Sequence, residues 1–153
     1  MITAWRLSRA GWADEAFSGA GAMRFPGRWN SAGVRMVYTS QSVSLATLEI
    51  YVHMPSGVPI PDYVVIPCTF DEALVEELDV TSLPGNWYAE VSPAELRAVG
   101  DQWVREGSSP VLKVPSAVIR VESNYLLNPE HPKFGAVKIG DPEPFPFDPR
   151  LIA

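Results

Sequence analysis

Apolar, β-branched and aromatic residues recur along the chain in short runs that predict strands. Each run is bounded by Gly, Pro or Ser, as the strands of a sheet tend to be. The runs are Ile2–Leu7, Met36–Thr39, Tyr63–Phe70, Val111–Val114, Ala117–Val121 and Ala136–Ile139. The pattern therefore predicts a β-sheet.

Residues 93–106 have the apolar spacing of an amphipathic helix. Ser92 is expected to cap this helix, with Pro93 at the first helical position and Glu95 completing a capping box. Gly107 is expected to end it.

A second helix is predicted from about Ser42 to His53, and it is apolar nearly all round, as helices inside proteins are. Glu49 lies in its middle and is the only formally charged side chain between Met36 and Pro61. A lone carboxylate on a buried face is costly unless it is paired, hydrogen-bonded or protonated. Two interpretations stay open: Glu49 pairs with an arginine or reaches solvent at the helix rim, or it is a catalytic carboxylate in a cleft.

The predicted strands and helices do not alternate regularly, which favours an α+β fold over a doubly wound sheet. A chain of 153 residues with 46% hydrophobic residues suits one domain, spanning residues 1–153. Prolines cluster at residues 55–67 and 141–149, which are predicted to be turns or extended coil. Phe145 and Phe147 in the second cluster are expected to pack against the rest of the protein.

The chain is acidic, with 18 Asp and Glu against 12 Lys and Arg and a net charge of -6. That charge repels phosphate backbones and argues against nucleic acid as a partner. No apolar run approaches the roughly 20 residues that span a bilayer, and the first residues do not resemble a signal peptide. We therefore expect a cytoplasmic protein without membrane contact. The single Cys68 is expected to be a buried, inert thiol.

A glycine-rich segment, residues 19–33, interleaves its glycines with Arg24, Arg28, Trp29 and Asn30. Glycine lets the backbone approach a ligand closely, and a guanidinium can bind phosphate through paired hydrogen bonds. The segment is neither a Walker A loop nor a dinucleotide-binding fingerprint. A surface loop with solvated arginines is the alternative that the residues leave open.

The segment Val37–Ser42 ends a predicted strand and opens the Glu49 helix. Tyr38 can stack on a planar ring, and the hydroxyls of Ser40 and Ser42 can bind a ribose. The alternatives are a core role for Tyr38 and a helix-capping role for Ser42.

The two histidines, His53 and His131, give little support for a metal site or a histidine-dependent triad, so no metal is expected. His53 follows Glu49 by four positions and can either hydrogen-bond it or be a structural residue at the helix end. His131 is expected to lie in a turn.

Taken in order, a series of motifs resembles the RES-domain family over roughly residues 4–151. Pro26 departs from the family pattern, in which a second glycine usually precedes the Gly-Arg-Trp-Asn motif. The motifs are Trp5-Arg6, Phe17-Ser-Gly-Ala-Gly-Ala22, Gly27-Arg-Trp-Asn30, Val37-Tyr-Thr-Ser40, Leu48-Glu49, Val114-Pro-Ser116, Asn124-Tyr-Leu-Leu-Asn-Pro-Glu-His-Pro132 and Phe147-Asp-Pro-Arg-Leu151.

The resemblance implies an ADP-ribosyltransferase-like fold, in which a split, twisted mixed sheet with flanking helices surrounds an NAD cleft. It places the active site on Arg28, Tyr38 and Glu49. Arg28 is expected to bind the pyrophosphate of NAD, Tyr38 to stack on nicotinamide, and Glu49 to stabilise the ribose as the glycosidic bond breaks. Further hydrogen bonds to NAD are expected from Ser40, Ser116 and Asn124.

The resemblance also implies a bacterial toxin that cleaves the nicotinamide–ribose bond of NAD, paired with an Xre-like antitoxin that occludes the cleft. NAD would be the substrate, consumed by hydrolysis or phosphorolysis. A mono-ADP-ribosyltransferase with a protein acceptor and a catalytically inactive binding module are the alternatives, and the presence of all three active-site residues argues against the second. The sequence leaves both a monomer and a homodimer open.

Overall fold

The computed structural model describes residues 1–152. Its strands are β1 (Ile2–Arg9), β2 (Val37–Ser40), β3 (Tyr63–Phe70), β4 (Val75–Glu77), β5 (Val111–Pro115), β6 (Ser123–Leu127), β7 (Lys138–Ile139) and β8 (Glu143–Phe145). Its α-helices are α1 (Ala20–Arg24), α2 (Val43–Tyr51) and α3 (Ala94–Glu106). Short 3-10 helices lie at Ala10–Glu15, Glu72–Leu74, Val80–Ser82, Phe134–Ala136 and Pro149–Ile152.

The strands form one sheet in the order β4-β5-β6-β2-β1-β3-β7, with β8 also paired to β3. The pair β4–β5 is parallel and the other pairs are antiparallel, so the sheet is mixed. The helices do not alternate with parallel strands. This architecture confirms the predicted α+β class.

The sheet is almost split between β1 and β2. These strands share a single register pair, Trp5 with Ser40, whereas β1 and β3 pair from Ile2–Phe70 to Arg9–Tyr63. A carbonyl left out of a ladder needs another donor. For Tyr38 that donor is Arg6, whose Nη1 lies 3.0 Å from the Tyr38 carbonyl oxygen.

Two hydrophobic clusters pack against this sheet, and β2 contributes to both because its side chains alternate in direction. Val37 belongs to the first cluster, and Tyr38 packs against the second. The buried members of the first are Ala4, Ala16, Phe17, Val37, Ile66, Cys68, Phe70, Val111, Tyr125, Leu127 and Val137. Those of the second are Trp29, Met36, Leu96, Trp103, Leu112, Val114 and Leu126.

The predicted strand Ala117–Val121 is wrong, because this segment consists of bends and a turn. The Ser116 hydroxyl accepts the backbone N–H groups of Val118 and Ile119 and so closes a turn in place of an extended strand. The sequence analysis missed β4, β6 and β8, of which β6 follows this turn at Ser123–Leu127. At the predicted strand Ala136–Ile139, only Lys138–Ile139 is extended.

Helix α2 begins as predicted, since the Ser42 side chain accepts the N–H of Leu45. Helix α3 ends as predicted at Gly107, which has a left-handed φ of 62°. The predicted Ser92 cap is wrong. Pro93 is the N-cap without a side-chain bond, and Ser92 Oγ donates instead to the carbonyl oxygen of Arg28 at 2.7 Å. Helix α1, in the glycine-rich segment, was not predicted.

The proline-rich tail packs on the sheet, as expected from its aromatic residues. Phe147 contacts Tyr63 edge-to-face, with ring centroids 5.3 Å apart, and β8 pairs with β3. Cys68 has no exposed surface, and burial raises the pKa of its thiol to about 12, so the thiol is inert at neutral pH. Among residues 1–152, no helix has the length and apolar character needed to cross a membrane.

Gly100 of α3 lies against the backbone of the Gly27–Asn30 loop. A Cβ atom at this position would lie 1.7 Å from the carbonyl oxygen of Trp29. Gly to Ala in a helix interior normally stabilises by about 1 kcal/mol. Here we predict that Gly100→Ala lowers the free energy of unfolding by about 1–3 kcal/mol, because the helix and the loop must move apart. Urea unfolding measures this change.

The matched control is Ala98→Gly on the exposed side of α3, which reports helix propensity alone. Stabilisation by Gly100→Ala would show that the loop does not pack tightly on α3.

Candidate active site

The half-buried carboxylate of Glu49, on α2, is held by residues from the sheet. Its Oε2 accepts hydrogen bonds from Ser116 Oγ at 3.0 Å and from the side-chain amide of Asn124. Ser116 directly follows β5, and Asn124 lies at the start of β6. Glu49 forms no salt bridge with a Lys or Arg of residues 1–152. Hydrogen bonds to its charged form therefore stabilise it, in place of an arginine partner.

Ser40 extends this network across the register pair Ser40–Asn124. Ser40 Oγ donates to Asn124 Oδ1 at 2.7 Å, so the Asn124 amide nitrogen faces the carboxylate. A carboxylate accepts and does not donate, which fixes this orientation of the amide. Ser40 and Ser116 are 4% and 0% exposed, so their hydroxyls are committed to orienting Asn124 and Glu49. Direct contact of these two serines with NAD stays a prediction.

Arg28 is half-buried at the other side of the site. Its Nη1 donates to the carbonyl oxygen of Trp87 at 3.0 Å, and its own carbonyl accepts from Ser92. Burial lowers the pKa of Arg28, and the negative charge of Glu49 partly offsets this shift. Arg28 and Glu49 thus lie within electrostatic reach of each other without forming a salt bridge.

Tyr38 joins β2 to the loop that carries Arg28. Its hydroxyl accepts the Trp29 N–H at 3.0 Å and donates to Asn30 Oδ1 at 2.6 Å. Asn30 in turn accepts the Gly27 N–H and donates to the carbonyl of Ala22. A Cβ atom at Gly27 would lie 2.6 Å from the Tyr38 ring, so only glycine permits this approach. Burial raises the pKa of Tyr38, which keeps the hydroxyl protonated and able to donate.

The sequence analysis missed Arg6 as an individual site residue. This β1 side chain reaches across the sheet opening to the Tyr38 carbonyl, while its buried Nε has no hydrogen-bond partner within residues 1–152. Burial lowers the pKa of Arg6 to about 10, so it remains a cation at neutral pH. The available signal was a charged residue inside the apolar run Ile2–Leu7.

The histidines lie outside this network. His53 is exposed and makes no hydrogen bond to Glu49, whereas His131 occupies the predicted turn. There its Nε2 bonds the Gly107 carbonyl and its Nδ1 accepts the Lys133 N–H, both at 2.9 Å. Within residues 1–152, no three His, Cys, Asp or Glu side chains converge as a metal site requires.

Two cavities of about 350 and 250 Å³ lie elsewhere on the protein. The first is next to His131 and the second next to Arg9, and neither is lined by Arg28, Tyr38 or Glu49. We place the candidate site by the hydrogen-bond network, since a cavity volume alone identifies no chemistry.

Comparison with known proteins identifies relatives along almost the whole chain. The sequence pattern of the RES domain matches residues 3–148. The chain is 35% identical to Toxin Res of Photorhabdus laumondii, covering 97% of this chain and 96% of the relative. It is 37% identical to the Prs ADP-ribosylating toxin of Sphingobium sp. (strain YBL2), covering 97% and 95%.

The fold also matches a chain in the crystal structure of the M. tuberculosis MbcT–MbcA toxin–antitoxin complex, with a TM-score of 0.76. That match has 18% sequence identity and covers 94% of this chain and 84% of the other. Fold and site together define an α+β protein whose half-buried glutamate is hydrogen-bonded by residues at the strand ends of a mixed sheet. The chain belongs to the RES-domain family, and the sequence relatives named above are toxins.

We predict that Tyr38→Phe lowers the free energy of unfolding by about 1–3 kcal/mol, because the Trp29 N–H and Asn30 lose a buried partner. Urea unfolding provides the measurement. The matched control is Tyr51→Phe, since the Tyr51 hydroxyl makes no hydrogen bond within residues 1–152. Equal stability of the two variants would mean that the Tyr38 hydroxyl does not hold the Arg28 loop.

Proposed function

We propose that this protein is the toxin of a toxin–antitoxin pair and that it cleaves the nicotinamide–ribose bond of NAD. The Glu49 carboxylate carries the proposal. Ser116 and Asn124 hold it through Oε2, while Oε1 accepts no hydrogen bond from residues 1–152 and is available to a ligand. The toxin names of relatives with 35% and 37% identity support the biological role.

The chemistry of NAD suits a single carboxylate. When the glycosidic bond breaks, nicotinamide leaves as a neutral molecule with the bonding electron pair, and the ribose becomes an oxocarbenium-like cation. A fixed negative charge stabilises that cation, as in glycoside hydrolysis, and no acid is needed for the leaving group. In this proposal Glu49 Oε1 hydrogen-bonds a ribose hydroxyl and its charge faces the developing cation.

The remaining residues bind NAD or position Glu49. Arg28 binds the pyrophosphate, exchanging its bond to the Trp87 carbonyl for a charge-assisted one. Tyr38 stacks on nicotinamide and holds the Arg28 loop through its hydroxyl. The positioning residues Ser40, Ser116 and Asn124 keep the Glu49 carboxylate in one orientation.

The acceptor of the ADP-ribosyl group distinguishes NAD consumption, with water or phosphate as acceptor, from protein modification. Water adds its oxygen to the ribose carbon and releases a proton, which is hydrolysis, whereas phosphate forms a ribosyl phosphate. We favour this consumption of NAD. The name of the Sphingobium relative, a Prs ADP-ribosylating toxin, supports the second candidate, transfer to a protein side chain.

The partner in this proposal is an Xre-like antitoxin that covers the site. The fold match to a chain of a toxin–antitoxin complex supports such a partner. Arg24, exposed at the end of α1, and Arg28 offer cations to an acidic segment of the antitoxin. The protein would act in the cytoplasm, where both NAD and the antitoxin are present.

We predict that Glu49→Gln lowers NAD cleavage by about 100-fold or more and abolishes growth inhibition, because it keeps the shape but removes the charge. Glutamine retains an oxygen that accepts from Ser116 and Asn124. Nicotinamide release by the purified protein is the measurement. The matched control is Glu95→Gln, an exposed residue of α3 that should keep full activity.

The same assay, run with NAD labelled on its adenylate, identifies the acceptor. Free ADP-ribose in buffer indicates hydrolysis, a new product that requires phosphate indicates phosphorolysis, and a labelled lysate protein indicates transfer. Full toxicity of a folded Glu49→Gln variant would remove Glu49 from the mechanism. A wild-type protein that inhibits growth but consumes no NAD would favour the binding module.

We predict that Arg24→Glu weakens antitoxin binding by about tenfold, because it places a like charge against an acidic segment. The dissociation constant at two salt concentrations is the measurement. Lys133→Glu is the matched control, since Lys133 lies beside Gly107 at the C-terminal end of α3, next to a cavity lined by none of the candidate site residues. Equal affinity of both variants would place the antitoxin on a different surface.

A further inference from the structure

Two arginines converge on the neighbouring aromatic residues Trp87 and Tyr88. Arg28 Nη1 donates to the Trp87 carbonyl, and the Arg120 guanidinium carbon lies 3.8 Å from the centre of the Tyr88 ring. The rings of Trp87 and Tyr88 contact edge-to-face at 5.5 Å. The segment containing these rings is thus held by one cation from each of two other loops.

The loop that carries Arg120 begins at the Glu49 site. Ser116 Oγ donates to Glu49 and also accepts the N–H groups of Val118 and Ile119. The Ser116 N–H donates to the Glu122 carbonyl at 2.9 Å and closes the loop at its base. Arg120 therefore extends from a turn whose first residue orients the candidate catalytic carboxylate.

These contacts form one continuous frame of hydrogen bonds and aromatic contacts. It runs from Glu49 through Ser116 and its loop to Arg120, then across the Tyr88 ring to Trp87, and ends at Arg28. Arg28 also lies within electrostatic reach of Glu49, so the frame closes on itself, and the Arg120–Tyr88 contact lies on the side of it opposite Glu49. A long substrate whose reacting bond lies at Glu49 would place its far end here.

The charges of this frame are available to a ligand. Neither Arg28 nor Arg120 forms a salt bridge within residues 1–152, in a chain whose net charge is -6. Arg120 is exposed and Tyr88 is 41% exposed, so the guanidinium lies over the ring at a position that a ligand can reach. An exposed cation–π pair contributes only about 0.5–1 kcal/mol to stability, which gives the fold little need of it.

We propose that Arg120, held flat on Tyr88, is the subsite for the adenylate half of NAD. The open face of the guanidinium stacks on the purine, as arginine planes do with nucleobases, and its N–H edge donates to the adenylate phosphate. This inference rests on the proposed function, because it takes NAD as the substrate. Arg28 then binds the phosphate nearer the nicotinamide ribose.

Calorimetric titration tests this assignment on the Glu49→Gln protein, in which the predicted loss of NAD cleavage allows binding to be measured. The probes are NAD, AMP and nicotinamide mononucleotide, which lacks the adenylate. We expect Arg120→Ala to weaken NAD and AMP binding by about tenfold and to change the mononucleotide affinity less than twofold. Arg120→Lys keeps the positive charge but lacks the planar guanidinium, so it should recover only part of the lost affinity. Val121 is adjacent and 95% exposed, so the control Val121→Ala should bind all three probes with the affinity of the Glu49→Gln parent.

Equal weakening of all three probes would overturn the subsite, since Arg120 would then act through the Ser116 loop on the whole site. Unchanged affinities, or full recovery by Arg120→Lys, would overturn the stacking role. Failure of the proposed function appears separately, as a wild-type protein that neither consumes nor binds NAD. If wild-type and Arg120→Ala proteins consume NAD with equal KM, only the subsite fails.

Discussion

The charge of Glu49 is the constraint around which the site is organised. Burial disfavours the charged form of a carboxylate unless hydrogen bonds or a nearby cation stabilise it. Here Ser116 and Asn124 both donate to one oxygen, and Ser40 orients Asn124. Each donor comes from the end of a different strand, so the sheet keeps the carboxylate in one orientation before any ligand binds.

The gap between β1 and β2 positions the loop that carries Arg28. Because β1 and β2 pair only at Trp5 and Ser40, the Tyr38 carbonyl accepts a hydrogen bond from the Arg6 side chain. The Tyr38 side chain then anchors the Arg28 loop, and Gly100 lets α3 press against the same loop. Buried hydrogen bonds and close backbone contact thus position a cation opposite the carboxylate.

This fold recurs at low sequence identity, as the 18% match to the MbcT–MbcA complex chain at a TM-score of 0.76 shows. What the fold supplies is the Glu49 carboxylate, pre-oriented by hydrogen bonds and within electrostatic reach of Arg28. Electrostatic preorganisation of that kind suits stabilisation of a transient cation in the proposed reaction.

Local patterns in the sequence predicted helices α2 and α3 and most strands. The Ser42 cap, the Gly107 stop and the apolar periodicity of α3 depend on residues within a few positions, and the structure confirms them. The ordered motifs also identified the RES family. The Ala117–Val121 strand failed because a hydroxyl at Ser116 closes a turn, which hydrophobicity and β-propensity do not register.

Only the tertiary structure decided what holds Glu49. Its partners Ser116 and Asn124 are 67 and 75 positions away, and they meet it because β5 and β6 pair beside β2. The role of Arg6 likewise depends on where β1 and β2 separate. Strand order and register set such contacts, and neither is encoded in the spacing of neighbouring residues.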